Sequence, residues 1–212
     1  MRTPSVLDKQ SLARGVSVLC RRDQDLAAVI DDFGLPPLWA RPAGFVTLIR
    51  IILEQQVSLA SADAAYRRLR QTLPRITPAG FLRLSGNELR AAGFSRQKTA
   101  YCRELATALA DKSLSLHQLN RSDDHEIRRQ LTSIKGIGDW TVDIYMLMVL
   151  KRPDAWPVGD LALARAAKEI KRFPTMPAAA DLKDLGEGWR PWRAVAARVL
   201  WHYYLRSRRK RS

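Results

Sequence analysis

The sequence predicts an all-α fold. Apolar residues recur at helical spacing through most of the chain, and segment after segment opens on a Ser or Asp of the kind that caps helices. No run alternates apolar and polar residues as a half-buried strand would. Residues 1–20 have little periodicity and are expected to form a loosely held, flexible N-terminal arm. Asp23 to Phe33 reads as a first helix, stopped by Gly34-Leu35-Pro36-Pro37. Phe45 to Gln55 carries Phe45, Val46, Leu48, Ile49, Ile51, Ile52 and Leu53. Its β-branched content would permit a strand, but eleven residues without alternation favour a buried helix. It is expected to pack between the two ends of the chain.

Ser58 to Leu73 is a cationic amphipathic helix ended by Pro74. Ser85-Gly86-Asn87-Glu88 matches a capping box, and Gly93 closes that short helix. Ser95 caps the next, running to about Asp111. Ser122 or Asp123 starts another, which leads into a Gly-rich turn. Asp160 opens a helix to about Lys171, a short one follows near Asp181, and a long last one runs from Pro191 to Leu205, with proline at its first position. The expected organisation is an arm (1–20), one folded body of two helical lobes with a cleft between them (21–206), and a basic tail (207–212).

Bulk properties narrow the function classes. At 212 residues, with 46% hydrophobic and 27% charged residues, the chain can bury a substantial core. Its 36 Lys and Arg outnumber its 21 Asp and Glu, for a formal charge of +15, which points to a polyanionic partner. Arg206, Arg208, Arg209, Lys210 and Arg211 supply five of those charges, so the body is basic without its tail. The 2 cysteines, Cys20 and Cys102, form no Cys-x-x-Cys pair, which excludes a zinc knuckle or a four-cysteine cluster loop. The 3 histidines show no ligand spacing, so no metal site is expected. Without an apolar run suited to a signal peptide or membrane span, the expectation is a cytoplasmic, nucleoid-associated, reduced protein with no membrane partner.

Two segments carry chemistry. Leu131-Thr132-Ser133-Ile134-Lys135-Gly136-Ile137-Gly138-Asp139-Trp140-Thr141 is a tight turn opening a helix. Gly136 and Gly138 let backbone N–H groups face outward, and the following helix adds its unpaired N–H groups and positive dipole end, a combination suited to a phosphate oxygen. Trp156-Pro157-Val158-Gly159-Asp160 then delivers one carboxylate. Alone, the turn reads as a helix connection, and Asp160 as an N-cap before Leu161-Ala162-Leu163-Ala164. A phosphate grip followed by a lone acid points to chemistry on a nucleic acid.

The run from Leu131 to Asp160 resembles the helix–hairpin–helix signature of the HhH-GPD superfamily of base-excision DNA glycosylases. Gly136-Ile137-Gly138-Asp139-Trp140-Thr141 looks like the 3-methyladenine DNA glycosylase II (AlkA-like) branch. Three further segments agree with that branch: Ile52-Leu53-Glu54-Gln55-Gln56-Val57-Ser58, Gly93-Phe94-Ser95-Arg96-Gln97-Lys98-Thr99-Ala100, and Trp189-Arg190-Pro191-Trp192-Arg193-Ala194-Val195-Ala196. The likeness spans about 45 to 205 and is to the compact, one-domain members.

The resemblance implies a monofunctional enzyme that hydrolyses the N-glycosidic bond of a flipped, alkylated base in double-stranded DNA; a monomer is the default expectation. Asp160 matches the catalytic acid, whose carboxylate would stabilise the oxocarbenium-like sugar and orient or deprotonate water. Lyase-capable branches place a Lys two residues after the second hairpin Gly; here that position is Trp140. Trp140 and Trp201 resemble indole walls of the base pocket, able to stack on a cationic purine. The family often has a Tyr four residues after the first Trp, whereas this chain has Ile144 and then Tyr145 as pocket candidates. Gln56 matches the residue that plugs the hole left by the flipped base. Gln55, Ser95, Lys98, Lys135, Gly136, Ile137 and Gly138 are the remaining expected DNA contacts. The carbonyls of Thr132 and Ile134 are expected to suit a monovalent cation, and no cofactor is expected for catalysis. Two alternatives stay open: a non-catalytic helix–hairpin–helix DNA-binding module, disfavoured because a carboxylate repels phosphate, and a bifunctional oxidised-base glycosylase, opposed by Trp140.

Overall fold

A computed structural model describes residues 4–211, with the side chains of 209–211 left aside, so Arg209, Lys210 and Arg211 of the tail and the first three residues of the arm lie outside the described side chains. Every regular element among the described residues is a helix. They are α1 (Lys9–Arg22), α2 (Gln24–Phe33), α3 (Phe45–Glu54), α4 (Leu59–Thr72), α5 (Pro78–Arg83), α6 (Gly86–Ala91), α7 (Arg96–Ala110), α8 (Leu116–Leu119), α9 (Asp124–Thr132), α10 (Asp139–Met148), α11 (Leu161–Ile170), α12 (Ala179–Glu187) and α13 (Arg193–Arg211). None is long and apolar enough to cross a membrane.

The caps explain where most of them begin. Asp23, Ser58, Ser95, Asp123 and Asp160 each accept a backbone N–H of the first turn, and Ser85 forms a full capping box with Glu88. The last helix starts at Arg193, two residues beyond Pro191, so the proline precedes the helix rather than opening it. It also continues past Leu205, which makes part of the expected tail helical.

The chain divides into two compact units. One joins Met1–Ala40 to Met146–Ser212, and the other is Arg41–Tyr145. In the first, α13 packs against α1, α2 and α11. Residues 9–20, expected as part of a loose arm, belong to the regular helix α1, with Leu12, Val16 and Leu19 in the core. Its apolar stripe is broken in the sequence by Gly15, yet that gap is what lets the helix close on Trp192: a Cβ there would lie 2.7 Å from the indole Cε3. Lys171 donates to Asp23 (2.5 Å) and Asp25 (2.9 Å), and the Trp189 indole donates to the other Asp23 oxygen (2.8 Å), which ties α2 to the segments after α11 and α12.

In the second unit, α3 is buried as expected, with Leu48, Ile49, Ile51 and Ile52 fully covered, and its partners are α4 and α7. The short helices α5 and α8 were not expected from periodicity; six and four residues are too few to show it.

Candidate nucleic-acid interface and acid site

The hairpin belongs to the second unit. Ile137 N–H closes the turn onto the Ile134 carbonyl (3.0 Å), with Ile137 buried at 3% exposure while Lys135 and Gly138 face solvent. Gly136 takes φ +90°, and a Cβ on it would sit 1.9 Å from Cγ of Tyr101 on α7. Two independent constraints, left-handed backbone and a ring against the Cα, therefore require glycine here. The first turn of α10 carries Asp139, an acid that would oppose a phosphate. Arg128 on α9 pairs with Asp139 and with the buried Asp143, so the turn's local charge is offset from within the hairpin. Trp140 follows, half-buried on that same first turn.

Gln55 was expected to touch DNA, but its amide is committed inside the protein. Nε2 donates to the Gly136 carbonyl (2.9 Å) and to Thr141 Oγ1 (2.9 Å), so the end of α3 braces the hairpin. Lys98 is committed likewise: its ammonium donates to the Leu53 carbonyl (2.6 Å), and burial pulls its pKa below the usual lysine value. It caps the C-terminal end of α3, where the helix dipole is negative, instead of presenting its charge to solvent. Ser95 is exposed, with its hydroxyl accepting Lys98 N–H (3.1 Å) as the α7 cap. Gln56 is exposed and has left-handed backbone, φ +56°, flanked by exposed Val57 and Leu59. A non-glycine residue held there costs of order 1 kcal/mol or more, the kind of strain that concentrates at functional turns.

Asp160 belongs to the first unit. Its Oδ1 accepts Leu163 N–H (2.8 Å), which makes it the N-cap of α11, and the same oxygen accepts the Trp201 indole N–H (3.0 Å). Asp160 keeps partial exposure and Leu161 beside it is 69% exposed, whereas Trp201 is only 7% exposed. Trp39, which the sequence reading missed, packs edge-on to Trp201 at 6.5 Å and 72° and lies 6.3 Å from the His202 ring. Its φ is +46°. The fully buried Arg198 holds this neighbourhood through carbonyls alone: Leu38 (3.0 Å), Ala194 (2.8 Å) and Leu147 (2.7 Å). Burial lowers its pKa to about 10. Three neutral dipoles around a buried cation are invisible in a sequence, because the carbonyls belong to no residue type.

Two pocket expectations are corrected. Ile144 is 3% exposed and Tyr145 fully buried, with the Tyr145 hydroxyl donating to Asn120 (3.0 Å) and burial raising its pKa to about 12. Neither offers a surface to a base; both are core residues of the second unit.

Comparison with known proteins identifies relatives of this chain. The HhH-GPD superfamily base excision DNA repair protein family matches residues 49–191, which takes in the Gln56 turn, the hairpin and Asp160. The YfjP protein of Bacillus subtilis is 26% identical over 186 residues, or 83% of this chain, and the chain spans 64% of its length. A crystal structure of a DNA-3-methyladenine glycosidase from Bacillus halodurans superimposes with a TM-score of 0.74 at 31% identity, covering 96% of this chain and 93% of that one. The 3-methyladenine DNA glycosylase Mag1 of Schizosaccharomyces pombe, solved with abasic DNA, shares the fold at a TM-score of 0.78 and 24% identity, over 89% of this chain and 95% of its own. With well over half its residues matched, this chain belongs to the HhH-GPD superfamily of base excision DNA repair proteins.

Proposed function

We propose that the protein is a monofunctional alkylpurine DNA glycosylase that releases 3-methyladenine-type bases from double-stranded DNA by hydrolysing the N-glycosidic bond. The observation that carries this reading is Asp160: a partly exposed carboxylate fixed by a backbone N–H and an indole N–H at the start of α11. A DNA-binding module has no use for an acid so carefully oriented, since it repels the phosphates it must meet. The name of the Bacillus halodurans protein supports the substrate class.

An alkylated purine is a cation and leaves as a neutral base, taking the electrons of the glycosidic bond. The sugar is left with oxocarbenium character, which Asp160 would stabilise while it orients water and accepts its proton. Trp140 supplies indole surface for the electron-poor base, an attraction worth about 1–2 kcal/mol when desolvated. Trp140 stands where a lyase would need an amine, so the product is an intact strand with an abasic site. Gln56, raised on its left-handed turn, fills the vacated stack. Lys135 and the Gly136–Gly138 backbone hold phosphate. The carbonyls of Thr132 and Ile134 are neutral oxygen ligands of the kind a monovalent cation takes; Ile134's is shared with the Ile137 N–H (3.0 Å), and a carbonyl has two lone pairs. An ion there would add positive charge near phosphate, and no step of excision passes through it.

The test is base release from methylated duplex DNA, read as strand scission after alkali. Wild type should release base and Asp160→Asn should not; equal low rates for both would remove the enzymatic reading. Failure of borohydride to trap a covalent adduct would bear out the absence of lyase chemistry.

A further inference from the structure

We propose that Trp201 is a positioning residue for the Asp160 carboxylate, a task separate from any stacking on the base. This rests on the function proposed above. Two donors from different elements converge on one oxygen of Asp160: Leu163 N–H from the first turn of α11 (2.8 Å), and Trp201 Nε1–H from α13 (3.0 Å). A cap bond restrains one carboxylate oxygen from within its own helix. A second donor arriving from outside the helix sets the carboxylate plane, and with it the direction in which the second oxygen points. Charge stabilisation depends on such preorganisation, because a group that must first reorient gives back part of what it contributes.

The surroundings of Trp201 suit an orienting role better than a purely stacking one. At 7% exposure the ring has little surface to offer a ligand. Its position is over-determined: Trp39 packs edge-on against it, Trp39 is itself held at φ +46°, and the preceding Leu38 carbonyl is anchored by the buried Arg198. A left-handed tryptophan persists only where its environment insists on it. Arg198, Leu38, Trp39, Trp201 and Asp160 thus form one continuous support within a single unit.

Trp201→Phe separates the two tasks, since it keeps an aromatic wall and removes the indole N–H. Single-turnover release of 7-methylguanine from duplex DNA should slow ~10–100-fold in Trp201→Phe, while the Kd for the same lesion duplex changes less than about threefold. A rate within about threefold of wild type, or rate and affinity falling in parallel, would overturn the proposal. If Trp201→Phe also lowers Tm, the rate is read well below that Tm, where the variant is fully folded: release still slowed there upholds the proposal, and recovery of the wild-type rate would overturn it. A second readout needs no activity. The Trp201 indole N–H resonance, identified by its disappearance in Trp201→Phe, should move in Asp160→Ala, and an unmoved resonance would refute the contact. Absence of base release by wild type would count against the proposed function, whereas an active wild type with an equally active Trp201→Phe would count against this inference alone.

Discussion

Two helix N-termini in this protein handle the same physical asset in opposite ways. Both α10 and α11 begin with unpaired backbone N–H groups and the positive end of a dipole. At α11 that potential is consumed internally: Asp160 folds back onto Leu163 N–H, and the anion it holds is the protein's own. At α10 the preceding turn is Gly136-Ile137-Gly138, with Lys135 and Gly138 open to solvent, and the acid in the first turn is paired off by Arg128. The first end stabilises a resident carboxylate, whereas the second, in the function proposed above, would take its anion from the DNA backbone. One kind of helix start can therefore serve chemistry or grip, and the residue at the cap decides which.

The contrast predicts unequal responses to mutation. The largest is expected at α11. Asp160→Ala should reduce base release by ~10³ or more while costing about 1 kcal/mol of stability through the lost cap, measured by single-turnover kinetics and thermal unfolding. A rate effect no larger than the stability effect would make Asp160 a cap and nothing else. At the hairpin, Gly136→Ala should cost about 2–4 kcal/mol, because a methyl group meets the Tyr101 ring in a left-handed backbone. Partial recovery in a Tyr101→Ala background would assign the loss to that contact, and no recovery would assign it to φ alone.

A smaller effect, set by pH, is expected within the unit that carries Asp160. Burial raises the Asp23 carboxyl, but its hydrogen bonds to Lys171, Trp189 and the Leu26 N–H outweigh this and hold it below 3.8. A folded-state pKa that is depressed adds stability above the unfolded value and loses it as pH falls through the folded one. Acid unfolding of Asp23→Asn should therefore be less steep below about pH 4, with a loss of about 1–3 kcal/mol at pH 7. An unchanged acid limb would remove this carboxylate from the acid response. The smallest effect belongs to Lys135→Ala, which should weaken binding to damaged and undamaged duplex alike by about threefold to tenfold and reduce the salt slope by about 1. Loss confined to damaged DNA would mean that Lys135 reads the lesion.

The order and type of elements were legible in the sequence wherever the determinants are local. Caps at Ser58, Ser85, Ser95, Asp123 and Asp160 depend on side chains within one turn of the backbone they satisfy, so a reader of residues finds them. The glycines of the hairpin and the lone acid after it are legible for the same reason. What the chain does with Gln55, Lys98, Tyr145 and Trp201 depends on partners far away in sequence: Gly136, Leu53, Asn120 and Asp160. Polar groups in a packed interior must find partners among whatever the fold brings near, and the carbonyls that receive Arg198 carry no side-chain signature at all. Composition and spacing settled that this is a basic, helical protein with a glycine-rich turn and an acid after it. Only packing decided which of its polar side chains brace that turn and which stay exposed.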